Sequence, residues 1–289
     1  MAEEQAGAEA AIPNASHCIG TEVWRSDLNE SERARLAEVL QAFADDPFLR
    51  QVAARSLTLM ALAPAQRVLD VGCGSGVLLP ALAQAVAPDG HVVGVDYAAP
   101  LLAEARARVE AAGVGDRVEL HQGDAHRLPF PDAAFDAAHA ERVLMHLEDP
   151  ALALRELQRV VKPGGWVVTA DPDYGGLRVD HPDQEAQTAL NEFALASFRN
   201  PTIGLEMKRR MVAADLVDCR LEVLVETENA LHPMSLASME RAAASAVAAG
   251  RLPPARAEAA ITYLREADAR GTYAAYDHMV VAAGRVPPA

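Results

Sequence analysis

The sequence predicts an α/β fold with a mostly parallel sheet, and three features support this prediction. Short apolar segments that suit strands alternate with segments that suit helices, at intervals of about 25 residues between positions 67 and 170. A glycine-rich loop joins the first of these strands to the helix after it. Acidic residues stand at or just after the ends of the strands. In folds of this kind a ligand binds at the carboxyl ends of the strands, so we expect the functional site there.

The individual elements follow from local patterns of apolar and turn-forming residues. Apolar residues recur at helical spacing between 27 and 62, with a break at Asp46-Pro47, which predicts two helices. We expect the last two strands of the chain to pair as a hairpin. The predicted strands are 68–71, 91–96, 118–122, 135–139, 166–170, 221–225 and 273–283, and the later helices are 77–87, 100–112, 150–161, 184–198, 204–214 and 235–270.

The charge balance limits the kinds of partner. The 289 residues include 26 Lys and Arg against 41 Asp and Glu, a formal net charge of −15. So acidic a surface repels phosphate backbones and anionic lipids, and we therefore expect neither nucleic acid nor a membrane as partner. No apolar run reaches the roughly 18 residues that a membrane helix needs. The first residues are acidic, which indicates a short disordered tail and no signal peptide.

Cysteine usage points to a protein without metal or disulfides. Cys18, Cys73 and Cys219 lie far apart and form no Cys-x-x-Cys pair. No cluster of His, Asp or Glu has the spacing of metal ligands, so no metal is expected. A reducing cytoplasm suits this pattern, and the frequent Ala, Arg and Pro are typical of a GC-rich bacterial genome.

The loop from Asp70 to Gly76 carries the most information about function. It reads Asp-Val-Gly-Cys-Gly-Ser-Gly and follows a short apolar strand. Glycine allows positive φ and close approach of the backbone to a ligand, and the helix after the loop offers unpaired N–H groups. Asp96 ends the next strand, where a carboxylate suits the two hydroxyls of a ribose.

A dinucleotide site is the competing interpretation of this loop. Such a site has the spacing Gly-x-Gly-x-x-Gly and holds a pyrophosphate, whereas here the third glycine comes one residue early. No Lys or Arg occurs between Arg67 and Arg106. These surroundings favour a ligand without phosphate but with cationic groups, such as S-adenosylmethionine with its sulfonium and ammonium. A glycine turn that serves packing alone is the third interpretation.

Six segments are informative when taken in order: 68–76, 93–96, 123–125, 135–137, 144–147 and 160–165. They resemble the motifs of the class I S-adenosylmethionine-dependent methyltransferases, in the ubiquinone/menaquinone-type branch that acts on small molecules. The resemblance covers roughly residues 65–171. It implies a Rossmann-like, seven-stranded, mostly parallel sheet with helices on both faces and a helical substrate cap, and it implies S-adenosyl-L-methionine as cofactor.

The resemblance also implies roles for particular residues at the cofactor. Asp96 is expected to bind the ribose, and Tyr97 to pack on the adenine. Asp124 is expected to accept a hydrogen bond from the adenine amine while Ala125 offers its backbone N–H to the ring, although Asp124 could instead cap a turn. The residues expected around the methionine part are Asp70, Gly72, Cys73, Gly74 and Gly76.

Fewer residues suggest themselves at the acceptor end. Glu141 follows the fourth strand, where the family lines the methionine and acceptor parts, and a solvated pair with Arg142 is the alternative. His146 is the candidate catalytic residue, because a neutral imidazole can remove a proton from an oxygen acceptor; capping or packing is the alternative. Tyr174 and Trp24 are expected to contact substrate, with core packing as the other explanation.

The predicted function is methyl transfer to O, N or C of a small molecule, such as a bacterial natural product or secondary metabolite. A protein of this fold that binds the cofactor but catalyses another reaction, such as cyclisation, is the main alternative, and a nicotinamide-dependent oxidoreductase is the third. Either a monomer or a homodimer fits the sequence. The expected divisions are 1–62, a tail and helical cap; 63–171, the cofactor-binding core; 172–215, a helical cap insertion; and 216–289, the C-terminal part of the core.

Overall fold

The computed structural model describes residues 46–288. The described chain divides into two compact units. We call them the sheet unit, which comprises 46–179, 195–227 and 275–288, and the helical unit, which comprises 180–194 and 228–274. Trp24 and the first of the helices predicted between 27 and 62 lie outside the described residues. None of the described helices is long and apolar enough to cross a membrane.

The elements alternate as the sequence predicts, and their bounds are as follows. The helices are α1 Pro47–Met60, α2 Leu79–Ala85, α3 Ala99–Ala111, α4 Pro150–Val160, α5 Gln184–Leu195, α6 Ile203–Ala213, α7 Pro233–Ala248 and α8 Pro254–Ala269. The strands are β1 Arg67–Val71, β2 His91–Asp96, β3 Val118–Gln122, β4 Phe135–Glu141, β5 Val161–Pro172, β6 Arg178–Val179, β7 Val217–Glu228 and β8 Ala275–Arg285.

The strands form one mixed sheet whose first five members are parallel. Its order is β3-β2-β1-β4-β5-β8-β6, and β7 also pairs with β8. The neighbours β1 to β5 pair in parallel, and β8 runs antiparallel to β5 and to β6. The α/β fold with its mostly parallel sheet is therefore confirmed. The two-residue strand β6 adds to the seven expected strands, and the last two long strands pair although residues 229–274 separate them.

The sheet reverses its direction of growth at β1. The chain proceeds from β1 to β2 and β3 on one side, then crosses to β4 and β5 on the other. The chain therefore leaves β1 and β4 in different directions, and a crevice forms between the two loops that follow these strands. Open α/β sheets bind ligands in such a crevice. The loop after β1, where the sequence predicts the functional site, lies at this reversal.

Helices cover both faces of the sheet because the strands alternate in what they bury. Val68 belongs to one hydrophobic cluster with residues of α1, α2 and α3, whereas its neighbours Leu69 and Val71 belong to a second cluster with residues of α4 and α6. Successive side chains of a strand point to opposite faces, so these two clusters are the two sides of the sheet. Asp46 begins α1 by accepting hydrogen bonds from the N–H groups of Phe48 and Leu49.

Helix α6 belongs to the core and is not part of a cap. Ile203, Met207 and Met211 recur every four residues along one face of α6, and all three are buried in the second cluster. A Cβ placed at Gly204 would lie 2.7 Å from the backbone oxygen of Asp171, so α6 approaches β5 closely. The segment 172–215 is consequently divided between the two units and does not form the single cap insertion that the sequence suggested.

The helical unit has its own core and its own polar contacts. Asp183 caps α5 by accepting from the N–H of Ala186 at 3.0 Å, and it forms a two-pronged ion pair with Arg256 at 2.6 and 2.7 Å. His181 packs edge-on against Tyr263 with ring centroids 4.6 Å apart. The predicted helix over 235–270 is two helices, α7 and α8, because Gly250 has a φ of 68° and two prolines follow at 253 and 254.

Candidate functional site

A cavity of about 930 Å³ opens at the reversal point of the sheet. Its walls come entirely from the sheet unit: the loop after β1, the ends of β2 and β4, the segments 123–126 and 142–148, and the inner side of α1. One wall is apolar and includes Leu49, Ala53 and Leu57 of α1. The lining also includes the acidic residues that the sequence singled out. Those that line the cavity are Asp70, Asp96, Asp124 and Glu141.

The glycine loop is held open by hydrogen bonds from its own backbone. Gly72 and Cys73 donate their N–H groups to the carbonyl of Val95 at 2.7 and 3.0 Å. Gly72 and Gly74 have φ of 68° and 53°, values that favour glycine. A Cβ at Gly72 would lie 2.3 Å from Val143, whereas one at Gly74 would meet no atom within 4 Å. Gly74 therefore leaves space beside its backbone for a ligand.

Gly76 and the thiol of Cys73 take part in packing within the protein. Gly76 is absent from the cavity wall, and a Cβ there would lie 2.8 Å from Ala105 of α3, so this glycine allows helix packing. The thiol of Cys73 is buried in the hydrophobic cluster beneath the loop, beside Gly94 of β2. Burial, with the charges of Asp70 and Asp96, raises the pKa of this thiol. Cys73 therefore contributes its backbone, and its thiol stays protonated.

Asp96 joins the glycine loop to the end of β2. Its Oδ2 accepts from the N–H of Gly74 at 2.8 Å and its Oδ1 from the N–H of Ala98 at 2.8 Å. Burial raises the pKa of Asp96, and these two N–H groups act in the opposite direction. The backbone N–H of Tyr97 also hydrogen-bonds this carboxylate. A carboxylate has about four acceptor positions, so capacity for a hydroxyl in the cavity remains. Tyr97 follows Asp96 with its side chain exposed on the cavity wall.

A buried pair of side chains lies beneath the cavity, between β1 and β4. His139 Nδ1 lies 2.9 Å from Asp70 Oδ1, because the strand register places the two residues opposite each other. Although burial alone would lower the pKa of His139, Asp70, Glu141 and Asp171 together raise it. Its Nε2 is 3.9 Å from Glu141 Oε2, and neither of these two buried atoms has a hydrogen-bond partner within 46–288.

Two further carboxyl groups extend this acidic region. Burial raises the pKa of Glu141, against the opposing effects of His139 and Arg142. Burial also raises the pKa of Asp171 to about 8, and the nearby Glu141 acts in the same direction. Asp171 Oδ1 accepts from the N–H of Met145 at 3.1 Å. Asp70 and Glu141 line the cavity, and an ionised carboxylate there favours a cationic ligand at the ends of β1 and β4.

The other side of the cavity contains Asp124, Ala125 and a histidine that the sequence did not single out. Asp124 Oδ1 accepts from the backbone N–H of His126 at 2.9 Å and lies 2.7 Å from its ring Nδ1. The other ring nitrogen, Nε2, accepts from the N–H of Asp149 at 3.2 Å. The sequence offered no signal for this contact, because His126 and Asp149 lie 23 positions apart.

His146 lines the cavity on a short turn that several side chains hold in place. The Asn200 amide donates to the carbonyls of Leu144 and Leu147 at 3.0 and 2.8 Å. Asp171 accepts from the backbone N–H of Met145, which belongs to the same turn. Burial, and then the charge of Arg142, lowers the pKa of His146 to about 3. The imidazole is therefore neutral at physiological pH and takes up a proton only weakly.

Tyr174 lies behind His146, away from the cavity wall. The ring of Phe198 lies 5.9 Å from that of His146 and 5.1 Å from that of Tyr174. Tyr174 is not among the residues that line the cavity, although it follows β5 as the sequence indicates. No group of three or more His, Cys, Asp or Glu in the part of the chain described could hold a metal ion.

Comparisons with known proteins agree with this geometry. A family model described as a methyltransferase domain matches residues 69–169. Over 164 residues the chain is 35% identical to a demethylmenaquinone methyltransferase of Bacillus cytotoxicus, a match that covers 52% of the chain and 69% of that protein. Over 167 residues it is 32% identical to a 27-O-demethylrifamycin SV methyltransferase of Amycolatopsis mediterranei, covering 55% of the chain and 57% of that protein.

The similarity does not extend over the full length of every relative. Over 192 residues the chain is 36% identical to an uncharacterized 37.1 kDa protein in a transposon of Streptomyces fradiae; the match covers 66% of the chain but 55% of that protein. Among solved structures, the YcgJ protein from Bacillus subtilis superposes with a TM-score of 0.59 at 20% identity, covering 83% of the chain and 100% of YcgJ. That likeness supports the fold.

Proposed function

The chain belongs to the S-adenosylmethionine-dependent methyltransferases, and we propose that it transfers the methyl group of this cofactor to a small-molecule acceptor. The observation that carries the proposal is one cavity whose lining includes the glycine loop, Asp96, Asp124 and Glu141. These residues come from four different loops and strand ends, and the fold places all of them at the reversal point of the sheet.

Three features of the cavity suit this cofactor. The open space beside Gly74 admits a ligand close to the backbone. Glu141 Oε2 and Ser75 Oγ are buried polar atoms with no partner among the described residues, and a ligand ammonium or hydroxyl would satisfy them. Asp70, Asp96 and Glu141 line the cavity near the loop and favour the cationic groups of the cofactor. Arg108 also lies there, and it donates to the Ser75 carbonyl of the loop at 2.9 Å.

Different residues of the cavity bind different parts of the cofactor. When bound, S-adenosylmethionine supplies an electrophilic methyl group on a sulfonium. Asp96 accepts hydrogen bonds from the ribose hydroxyls, and Asp124 accepts from the adenine amine. Glu141 faces the ammonium, where the buried His139 beside it offsets part of the accumulated negative charge. Methyl transfer depends chiefly on positioning, so holding the ligand at these separate points is the main catalytic task.

His146 is better suited to positioning the acceptor than to removing a proton from it. A base whose conjugate acid has a pKa of about 3 holds a proton far too weakly to take one from a phenol or alcohol near pH 7. A neutral imidazole can instead form a hydrogen bond with the acceptor. We therefore assign His146 to orientation, and we expect the acceptor atom to react ionised or to release its proton elsewhere.

The acceptor that this cavity suits is mostly apolar. Its inner wall offers Leu49, Ala53 and Leu57 from α1, and Leu147 from the turn opposite. Burial of such surface contributes about 25 cal/mol per Å² to binding. The related proteins named above act on demethylmenaquinone and on 27-O-demethylrifamycin SV, by their names. We propose an acceptor of this general kind, including a bacterial secondary metabolite.

Incubation with methyl-labelled S-adenosylmethionine and a panel of acceptors tests the proposal. The panel contains apolar phenols, naphthols, amines and enolisable carbon acids. The wild-type chain is expected to transfer label to at least one apolar acceptor. Asp96→Ala is expected to need a higher cofactor concentration for the same transfer, because the ribose is held less tightly. Binding of the cofactor without transfer to any acceptor would contradict the proposed reaction and favour a non-methylating role.

A further inference from the structure

The side chain of His126 connects Asp124 to the start of helix α4. Its backbone N–H and its ring Nδ1 both lie within hydrogen-bond distance of the same atom, Asp124 Oδ1, at 2.9 and 2.7 Å. Its ring Nε2 lies 3.2 Å from the backbone nitrogen of Asp149, which precedes α4. Both Asp124 and His126 line the cavity.

These contacts determine where the proton of the ring lies. The backbone N–H of Asp149 can only donate, so Nε2 must carry a lone pair and accept. A neutral imidazole then has its proton on Nδ1, which donates to Asp124 Oδ1. The direction of both hydrogen bonds follows from this one backbone donor.

The two contacts from His126 restrict the orientation of the Asp124 carboxylate. Oδ1 is engaged by two donors from the same residue, whereas Oδ2 has no partner within the part of the chain that the structure describes. The Asp124 side chain is 54% exposed, so without the ring only one backbone N–H would restrain its rotation. Fixing a rotatable side chain before binding removes an entropy cost that the ligand would otherwise meet.

We propose that His126 is a positioning residue that fixes Asp124 with Oδ2 directed at the exocyclic amine of the adenine ring, and so provides discrimination between adenine and purines without that amine. This inference rests on the proposed function, since it takes the adenosyl group as the ligand. His126 acts through Asp124 and the anchor at Asp149, and it needs no contact with the adenine itself.

The test uses two ligands that differ in one group. They are S-adenosylhomocysteine and the corresponding homocysteine derivative of purine riboside, which lacks the exocyclic amine. Calorimetry gives the dissociation constant of each for the wild-type chain and for three variants. His126→Asn keeps an N–H near the position of Nδ1, His126→Gln keeps an amide near the position of Nε2, and His126→Ala keeps neither. His91→Ala, at the exposed start of β2, is the matched control.

We expect the wild-type chain to prefer the adenine ligand, and His126→Ala to lose about fivefold to tenfold of its affinity for that ligand alone. His126→Asn should retain most of the preference, whereas His126→Gln should lose it. Equal weakening of both ligands by His126→Ala, with a lowered unfolding temperature, would overturn the inference in favour of a purely structural histidine. A wild-type chain that binds neither ligand would refute the proposed function itself.

Discussion

Replacement of Asp171 by Asn should stabilise the protein increasingly as the pH rises. Asp171 is almost completely buried at 1% exposure, and burial with the nearby Glu141 raises its pKa from the ordinary 3.8 to about 8. Its Oδ1 accepts from the N–H of Met145 at 3.1 Å. Asn retains a carbonyl oxygen for that bond and has no charge to bury, so the substitution isolates the effect of ionisation.

The sign and size follow from the linkage between proton binding and folding. The folded protein binds the Asp171 proton more tightly than the unfolded chain does, so the full stability is present below pH 3.8 and is lost as the pH rises to about 8. Each pH unit in this window lowers the free energy of unfolding by about 1.4 kcal/mol. The total over the window is about 5–6 kcal/mol, as an upper bound for a shift of this size.

The assay is urea unfolding of the wild type and of Asp171→Asn at about pH 5.5 and pH 7.5, two values inside that window. Taking the difference between the two proteins cancels the titration of groups that do not interact with Asp171. The stability advantage of the variant should grow by about 2–3 kcal/mol between the two pH values. Parallel pH dependence in both proteins would refute the assignment of a strongly raised pKa to Asp171.

Four other substitutions test the site directly. Asp96→Ala should weaken binding of S-adenosylhomocysteine by about 1–3 kcal/mol through the loss of charged hydrogen bonds, and unchanged calorimetric affinity would reject its ribose role. His146→Ala should lower turnover more than cofactor affinity, and the wild-type pH–rate profile should show no step from this residue near pH 6.5; such a step, abolished by the variant, would restore the general base. Gly72→Ala should destabilise the fold by about 2 kcal/mol or more, because its Cβ would meet Val143 at 2.3 Å, whereas Gly74→Ala should mainly lower cofactor affinity. Denaturant unfolding measures the first effect and calorimetry the second. A greater loss of stability in Gly74→Ala than in Gly72→Ala would contradict the loop geometry.

The sequence predicted the local structure around the candidate site, which depends on local pattern. The alternation of strands and helices led to a mostly parallel sheet, and the loop at Gly72 and Gly74 has the positive φ that its glycines indicated. Asp96 and Asp124 line the same cavity as that loop because both follow parallel strands whose carboxyl ends meet at one edge. Periodicity and strand order were sufficient for these inferences.

What the sequence could not supply was contact between distant positions. Asp70 and His139 are 69 residues apart, and only the register of β1 against β4 makes them a pair. Asn200, which holds the turn of His146, follows a helix and carries no motif. Helix α6 was expected in a cap because it follows the cofactor-binding core, yet its buried methionines place it against the sheet. Such facts depend on tertiary packing, which a local pattern does not encode.

The central claim is that the cavity at the reversal point of the sheet binds the adenosyl cofactor of the methyltransferases. Calorimetric titration of the wild-type chain with S-adenosylhomocysteine, and separately with NAD⁺, tests it most directly. We expect one molecule of S-adenosylhomocysteine bound per chain and no binding of NAD⁺, since acidic residues line the cavity beside the glycine loop and the third glycine comes one residue too early for a pyrophosphate loop. Binding of NAD⁺, or no heat with S-adenosylhomocysteine, would contradict it.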